Sequence, residues 1–253
     1  APDTGSYEDA LDPDALENAR IGVLRERFGD AEMPSAQGVN ERVENALDSM
    51  VGAGAQLVDV TVPDLDRYLT ETSLHAVAPK HDIDSFLAEL DDPPVDSVEE
   101  LHQSGTYHEA LELFETIADA PTDPTTEPTY WERVAGQAQF REELVASIAR
   151  NEVDAIAFPD VQVPPPEHEA LRTGEVRRAD YPVNTTIASQ SGCPAISVPA
   201  GFTDDGLPVG MELLGMPYAE SRLLGLAFAF EQATDPRDPP ATAPSLSEPA
   251  LRD

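Results

Sequence analysis

Five histidines, one cysteine, one lysine and several serines are the residues of this 253-residue chain that could supply a base, a nucleophile or a metal ligand. His75 and His81 stand six apart, as do His102 and His108, whereas a spacing of four would set two rings on one helix face. They are expected to be surface or partly satisfied helix residues. No H-E-x-x-H, C-x-x-C or G-x-S-x-G occurs. Cys193 precedes Pro194 at the entrance to an apolar run, which predicts a small buried thiol rather than a nucleophile. Ser189 and Ser191 read as turn and helix-end residues, and Lys80 as a solvated helix lysine. The 49 carboxylates are too many for any acid–base pair to stand out. A nucleophilic site needs a nucleophile, a base and donors for the oxyanion together. No spacing in the chain gathers them, so no catalytic residue and no metal ligand is assigned.

The elements that would position such a site are easier to read. "ARIGVL" (19–24) has strand length. Val39, Val43, Ala46, Leu47 and Met50 follow the 3-and-4 spacing of an amphipathic helix, which Gly52 and Gly54 end. "QLVDVTVP" then alternates as a strand closed by Pro63. Residues 64–150 read as a succession of helices separated by Pro-, Thr- and Asp-rich breaks. "DAIAFPDVQVPPP" is a buried strand running into an extended proline segment. "CPAISVPAGF" and "PVGMELLG" are strands joined by a turn, and "YAESRLLGLAFAFEQAT" is a helix. Strands interleaved with helices predict an α/β class, a mixed β-sheet covered by helices. Residues 1–18 are expected to form an acidic linker, 19–234 the domain and 235–253 a Pro/Asp-rich tail.

Fifteen Lys and Arg against 49 Asp and Glu give a formal charge of −34, spread along the whole chain rather than gathered in one block. Of an acidic tail, disorder and adaptation to a salt-rich cytoplasm, the last is the expected reading of this distribution. At about 1 M salt the Debye length falls to about 3 Å, so carboxylate repulsion is screened. The expected result is a melting temperature that rises with KCl; undiminished stability in low salt would count against it. Direct binding to a nucleic-acid backbone is disfavoured by the same charge. A single cysteine allows no intrachain disulfide and fits a reducing, cytoplasmic compartment. No apolar run approaches the roughly 20 residues of a membrane span, so no membrane partner is expected.

From Tyr181 onward the order of motifs becomes specific. "YPVNTTIASQSGCPAISVPAGFTDDGLPVGMELLG" carries Asn184 on a short helix, then Gly192, Pro194 and Ala195, an I-S-V-P-A-G strand and a D-G-L-P-V-G turn. It resembles the C-terminal segment of the amidase signature family, and the resemblance extends upstream through "DAIAFPDVQVPPP" and the first strand, helix and strand. It is weakest over residues 64–150. It implies an amidase-signature-like sheet, incomplete on its N-terminal side. It also implies hydrolysis of carboxylic amides through an acyl-serine intermediate, with no metal or organic cofactor. The resemblance implies a Ser–cis-Ser–Lys triad with its lysine on an early strand and both serines in a Gly/Ser-rich signature, and no part of that signature occurs here. The chain alone is therefore expected to be inactive and prone to aggregate, its partners a small amide substrate and a separate catalytic half or a second copy. By the same resemblance Asn184, Tyr181 and Asp180, with the loop at 163–167, would lie near the acyl pocket. For Asn184, capping a buried turn is an equal alternative. Two other parents stay open: an A-subunit-like part of glutamyl-tRNA amidotransferase, and a non-catalytic binding module that kept the fold.

Overall fold

A computed structural model describes residues 6–108, 111–177 and 181–235. Its first unit is β1 (Arg20–Val23), α1 (Pro34–Gly52) and β2 (Gln56–Asp59), with β1 and β2 parallel and paired from Arg20 with Gln56 to Val23 with Asp59. Helix α1 begins five residues before its first apolar periodic position, because Pro34 sits at the N-terminal position where a missing N–H costs nothing. Its buried stripe is Ala36, Val39, Val43, Ala46, Leu47 and Met50.

Four short helices and one long one follow: α2 (Leu65–Glu71), α3 (Pro79–Ala88), α4 (Val98–Ser104), α5 (Glu112–Asp119) and α6 (Tyr130–Asn151). After β3 (Ala155–Pro159) come the short helices α7 (His168–Arg172) and α8 (Thr186–Ser191), then β4 (Ala195–Phe202), β5 (Pro208–Leu214) and α9 (Glu220–Thr234). The sheet order is β2-β1-β3-β5-β4. β3 runs parallel to β1, whereas β5 is antiparallel to both β3 and β4, so the sheet is mixed as expected.

Side-chain alternation sorts the core into two layers. On one face Ile21, Val23, Ala157, Val198, Met211 and Leu213 pack with the apolar stripes of α1 and α9. On the other, Ile156, Phe158 and Leu214 pack with Tyr68 of α2, Phe140, Leu144 and Ile148 of α6, and Ile187 of α8. Tyr68 stacks on Phe140 with ring centroids 5.0 Å apart. Ser147 of α6 donates its hydroxyl to the Thr61 carbonyl at 2.9 Å, fastening the exit from β2 beneath that helix.

Two expectations are modified. The described part of the 1–18 segment is packed: Leu16 is fully buried, and Arg222 of α9 donates to the Ala15 carbonyl at 3.1 Å. Lys80 is not a solvated helix lysine. Its side chain is only 12% exposed, and its ammonium donates to the Ala118 carbonyl at 2.6 Å. A cation at the C-terminal turn of α5 satisfies a carbonyl that the helix leaves without an internal partner, and meets the negative end of its dipole.

Candidate functional site

The proline segment after β3 and the strip leading into α8 are cross-tied into one corner. Asp160 donates its backbone N–H to the Gly210 carbonyl at 3.0 Å, continuing the sheet one residue past Pro159. Val161 then bridges Val183 antiparallel, and the Gln162 N–H reaches the Pro182 carbonyl at 3.1 Å. Asn184 closes the corner. Its backbone N–H donates to the Asp160 carbonyl at 2.9 Å. Its side-chain NH₂ donates to the carbonyls of Arg27 and Pro159, both at 2.8 Å, and its Oδ1 accepts from Gln162 at 3.2 Å. Asn184 is 2% exposed and precedes α8 rather than lying on it. Both donor positions of its amide are occupied by framework.

Tyr181 joins the same corner by donating its hydroxyl to the Val163 carbonyl at 2.9 Å, and burial raises its pKa. The structure therefore brings Asn184, Tyr181 and the start of the 163–167 loop together. Asp180 lies outside the described residues.

A second cluster forms where this corner meets the sheet. Phe158, Glu212 and Ser197 lie opposite one another across β3, β5 and β4, and Asp160 sits over Gly210 in the next row. Gly210 leaves the space the carboxylate fills: a Cβ there would come within 2.0 Å of Asp160 Oδ2. The Ser197 hydroxyl donates to that same oxygen. Asp160 Oδ1 and Glu212 Oε1 are buried with no hydrogen-bond partner. Burial first, and the neighbouring Asp160 charge second, push the Glu212 pKa up to about 8. Burial likewise raises Asp160, against the opposing hydrogen bond from Ser197. Among so many carboxylates the sequence does not mark this pair. Its one signal is Glu212, a lone acid inside an otherwise apolar strand.

The remaining chemical candidates have structural roles. Cys193 is buried, and desolvation raises its thiol pKa, which disfavours the thiolate. A cleft of about 530 Å³ runs between α6, α8 and the start of α9. Arg141 in its wall donates Nε to the Ser191 carbonyl at 2.7 Å, in space that Gly192 leaves open. His102 pairs with Glu115 at 2.7 Å on an exposed surface. Among the described residues no three His, Cys, Asp or Glu side chains are grouped to hold a metal ion, and no helix is long and apolar enough to cross a membrane.

The fold and corner define an α/β framework with a mixed sheet and a cross-tied proline loop. This chain belongs to the amidase family, whose model matches residues 5–224. It is 31% identical over 250 residues to the A subunit of the glutamyl-tRNA(Gln) amidotransferase from Halorhodospira halophila, covering 90% of this chain and 48% of that protein. It is 28% identical over 235 residues to the fatty acid amide hydrolase of Medicago truncatula, covering 87% and 34%. The native peptide amidase of Stenotrophomonas maltophilia superimposes with a TM-score of 0.71 at 26% identity, covering 93% of this chain and 47% of that one. The chain thus spans about half the length, or less, of the relatives it matches.

Proposed function

We propose that this chain is the framework half of an amidase, and that the assembled enzyme releases amide nitrogen through an acyl-serine intermediate whose nucleophile and base reside on a separate segment or chain. The observation that carries this reading is the open edge of β4. That strand pairs only with β5 among the described residues, and Ala195 and Ser197 on it are exposed, in a chain that matches about half of its relatives. An eight-residue edge strand left unpaired invites association, so a covering partner is the economical arrangement. In this reading Asn184 and Tyr181 hold the 161–167 segment in place as one wall of the acyl pocket. Asp180, outside the described residues, is assigned to that wall by the family resemblance alone.

Recurrent likeness to the A subunits of glutamyl-tRNA(Gln) amidotransferases favours an A-subunit-like role over a general amidase. The test is to produce the chain alone and together with the protein segment encoded immediately upstream. Alone it should self-associate in light scattering and release no ammonia from glutamine or simple amides; together the two should turn over. A well-behaved monomer with no gain on mixing would sink the proposal. Ammonia release that requires an added tRNA-binding subunit would assign the A-subunit role, whereas partner-free hydrolysis of simple amides would assign the general amidase.

A further inference from the structure

We propose that Asp160 and Glu212 form a receiving site for one cationic nitrogen group, an ammonium or a guanidinium, presented at the open face of β4. The inference rests on the two carboxyls and their setting, and it goes beyond the amidase reading without depending on it. Glu212 is 5% exposed and its Oε1 has no partner, while the half-buried Asp160 carries a second buried oxygen, Oδ1, that also lacks one. Buried acceptors are rarely left unpaired, because each carries its desolvation cost without compensation.

The supports around the pair fix its geometry. Asp160 is seated in the notch of Gly210 and held there by the Ser197 hydroxyl, which engages Oδ2 and leaves Oδ1 as the free oxygen. Ser197 is exposed on the edge strand, so the pair lies next to the surface on which an incoming group would arrive. The charged neighbours are few. Asp160 is the charge that acts on Glu212, and Ser197 the side chain that bonds Asp160. Among the described residues no ion pair joins a basic side chain to either carboxyl.

What would complete such a site follows from its unmet valences. Two adjacent acceptors without donors call for a group that brings at least two N–H bonds and a positive charge. An apolar cover would leave both oxygens orphaned. A third His, Cys, Asp or Glu, as a metal site requires, is not grouped with them among the described residues. With no cation in place the pair keeps a proton on Glu212, whose pKa lies near 8. Arrival of the cation expels that proton to solvent, so binding and deprotonation of Glu212 are linked.

Carbon-13 NMR of the full chain labelled at glutamate carboxyls, with Glu212 assigned from the Glu212→Gln variant, tests this. Methylguanidinium chloride should lower the pH midpoint of Glu212 by about one unit, a tenfold change in its proton equilibrium, relative to equal KCl. Tetramethylammonium, which carries the charge but no N–H, should not. Asp160→Asn should abolish the methylguanidinium response. Ser197→Ala, at an exposed position, keeps both carboxyls but removes the hydroxyl that holds Asp160, so it should diminish the response and serves if the Asp160 variant fails to fold. An equal shift from tetramethylammonium, no shift beyond KCl, or an undiminished shift in folded Asp160→Asn would overturn the proposal. Two further arms locate the source of the cation. Binding of a blocked Gly-Arg-Gly peptide tenfold tighter than methylguanidinium assigns it to a polypeptide lying along β4. Equal binding assigns it to a small free amine.

Discussion

Replacing Asn184 by alanine is expected to lower the stability of the isolated chain by about 2–5 kcal/mol, the sum of one buried and one part-buried carbonyl each losing its donor. The carbonyls belong to Arg27, on the connection after β1, and to Pro159 at the end of β3, and a third tie to Gln162 goes at the same time. The site is 2% exposed, so water cannot readily take the place of the amide. Asn184→Asp keeps the shape but removes the NH₂ and sets a carboxylate against two carbonyl oxygens, and should be at least as damaging. Equilibrium urea unfolding at constant KCl gives the magnitude, and amide hydrogen exchange at Gln162 gives the location. If Asn184 serves as framework, both respond with no substrate present. A loss below about 0.5 kcal/mol, within the range of ordinary surface substitutions, would return it to the role of a substrate contact.

The fold is legible wherever one element buries one stripe. The 3-and-4 spacing from Val39 to Met50 marks the face of α1 that packs on the sheet, and the glycines mark its end. The helix start is silent because Ser35 and Gln37 in its first turn carry no apolar signal. The alternation of "QLVDVTVP" continues past Asp59, the last residue of β2: Val60 still donates its N–H to the Val23 carbonyl, whereas the Val62 N–H turns to Glu26, and both valines are buried in the layer beneath α6. Beyond Val60 tertiary packing, not strand pairing, sets the pattern. The succession of helices read over 64–150 opens with α2 and α3, and Pro79 starts the second of them.

The site is legible to a lesser degree, for a physical reason. Tyr181 and Asn184 stand out by resemblance, and their joint role depends on bonds to Val163 and Pro159, contacts between chain segments that no local spacing encodes. Lys80 departs from expectation because composition predicts average solvation, whereas one helix end accepts one cation. Asp160 and Glu212 lie 52 positions apart in a chain with 49 acids. Only the register of β3 on β5 makes them neighbours.

That register has a consequence for pH. Glu212 ionises near 4.5 when unfolded and near 8 in the folded chain, so between those values the folded state binds the extra proton. Stability from this group is therefore fully present below about 4.5 and is lost as pH rises through 8, by roughly 5 kcal/mol in total. Asp160 contributes with the same sign, since burial raises it too. The other carboxylates are common to wild type and variant, so the difference between wild type and Glu212→Gln isolates this pair. Glutamine keeps the shape and neutrality of the protonated acid. The two proteins should have similar stability at pH 5, and Glu212→Gln should be the more stable by roughly 4 kcal/mol at pH 9. Unfolding curves at fixed KCl across that range measure it. Parallel curves would mean that Glu212 is ionised throughout, and that a donor already lies beside it.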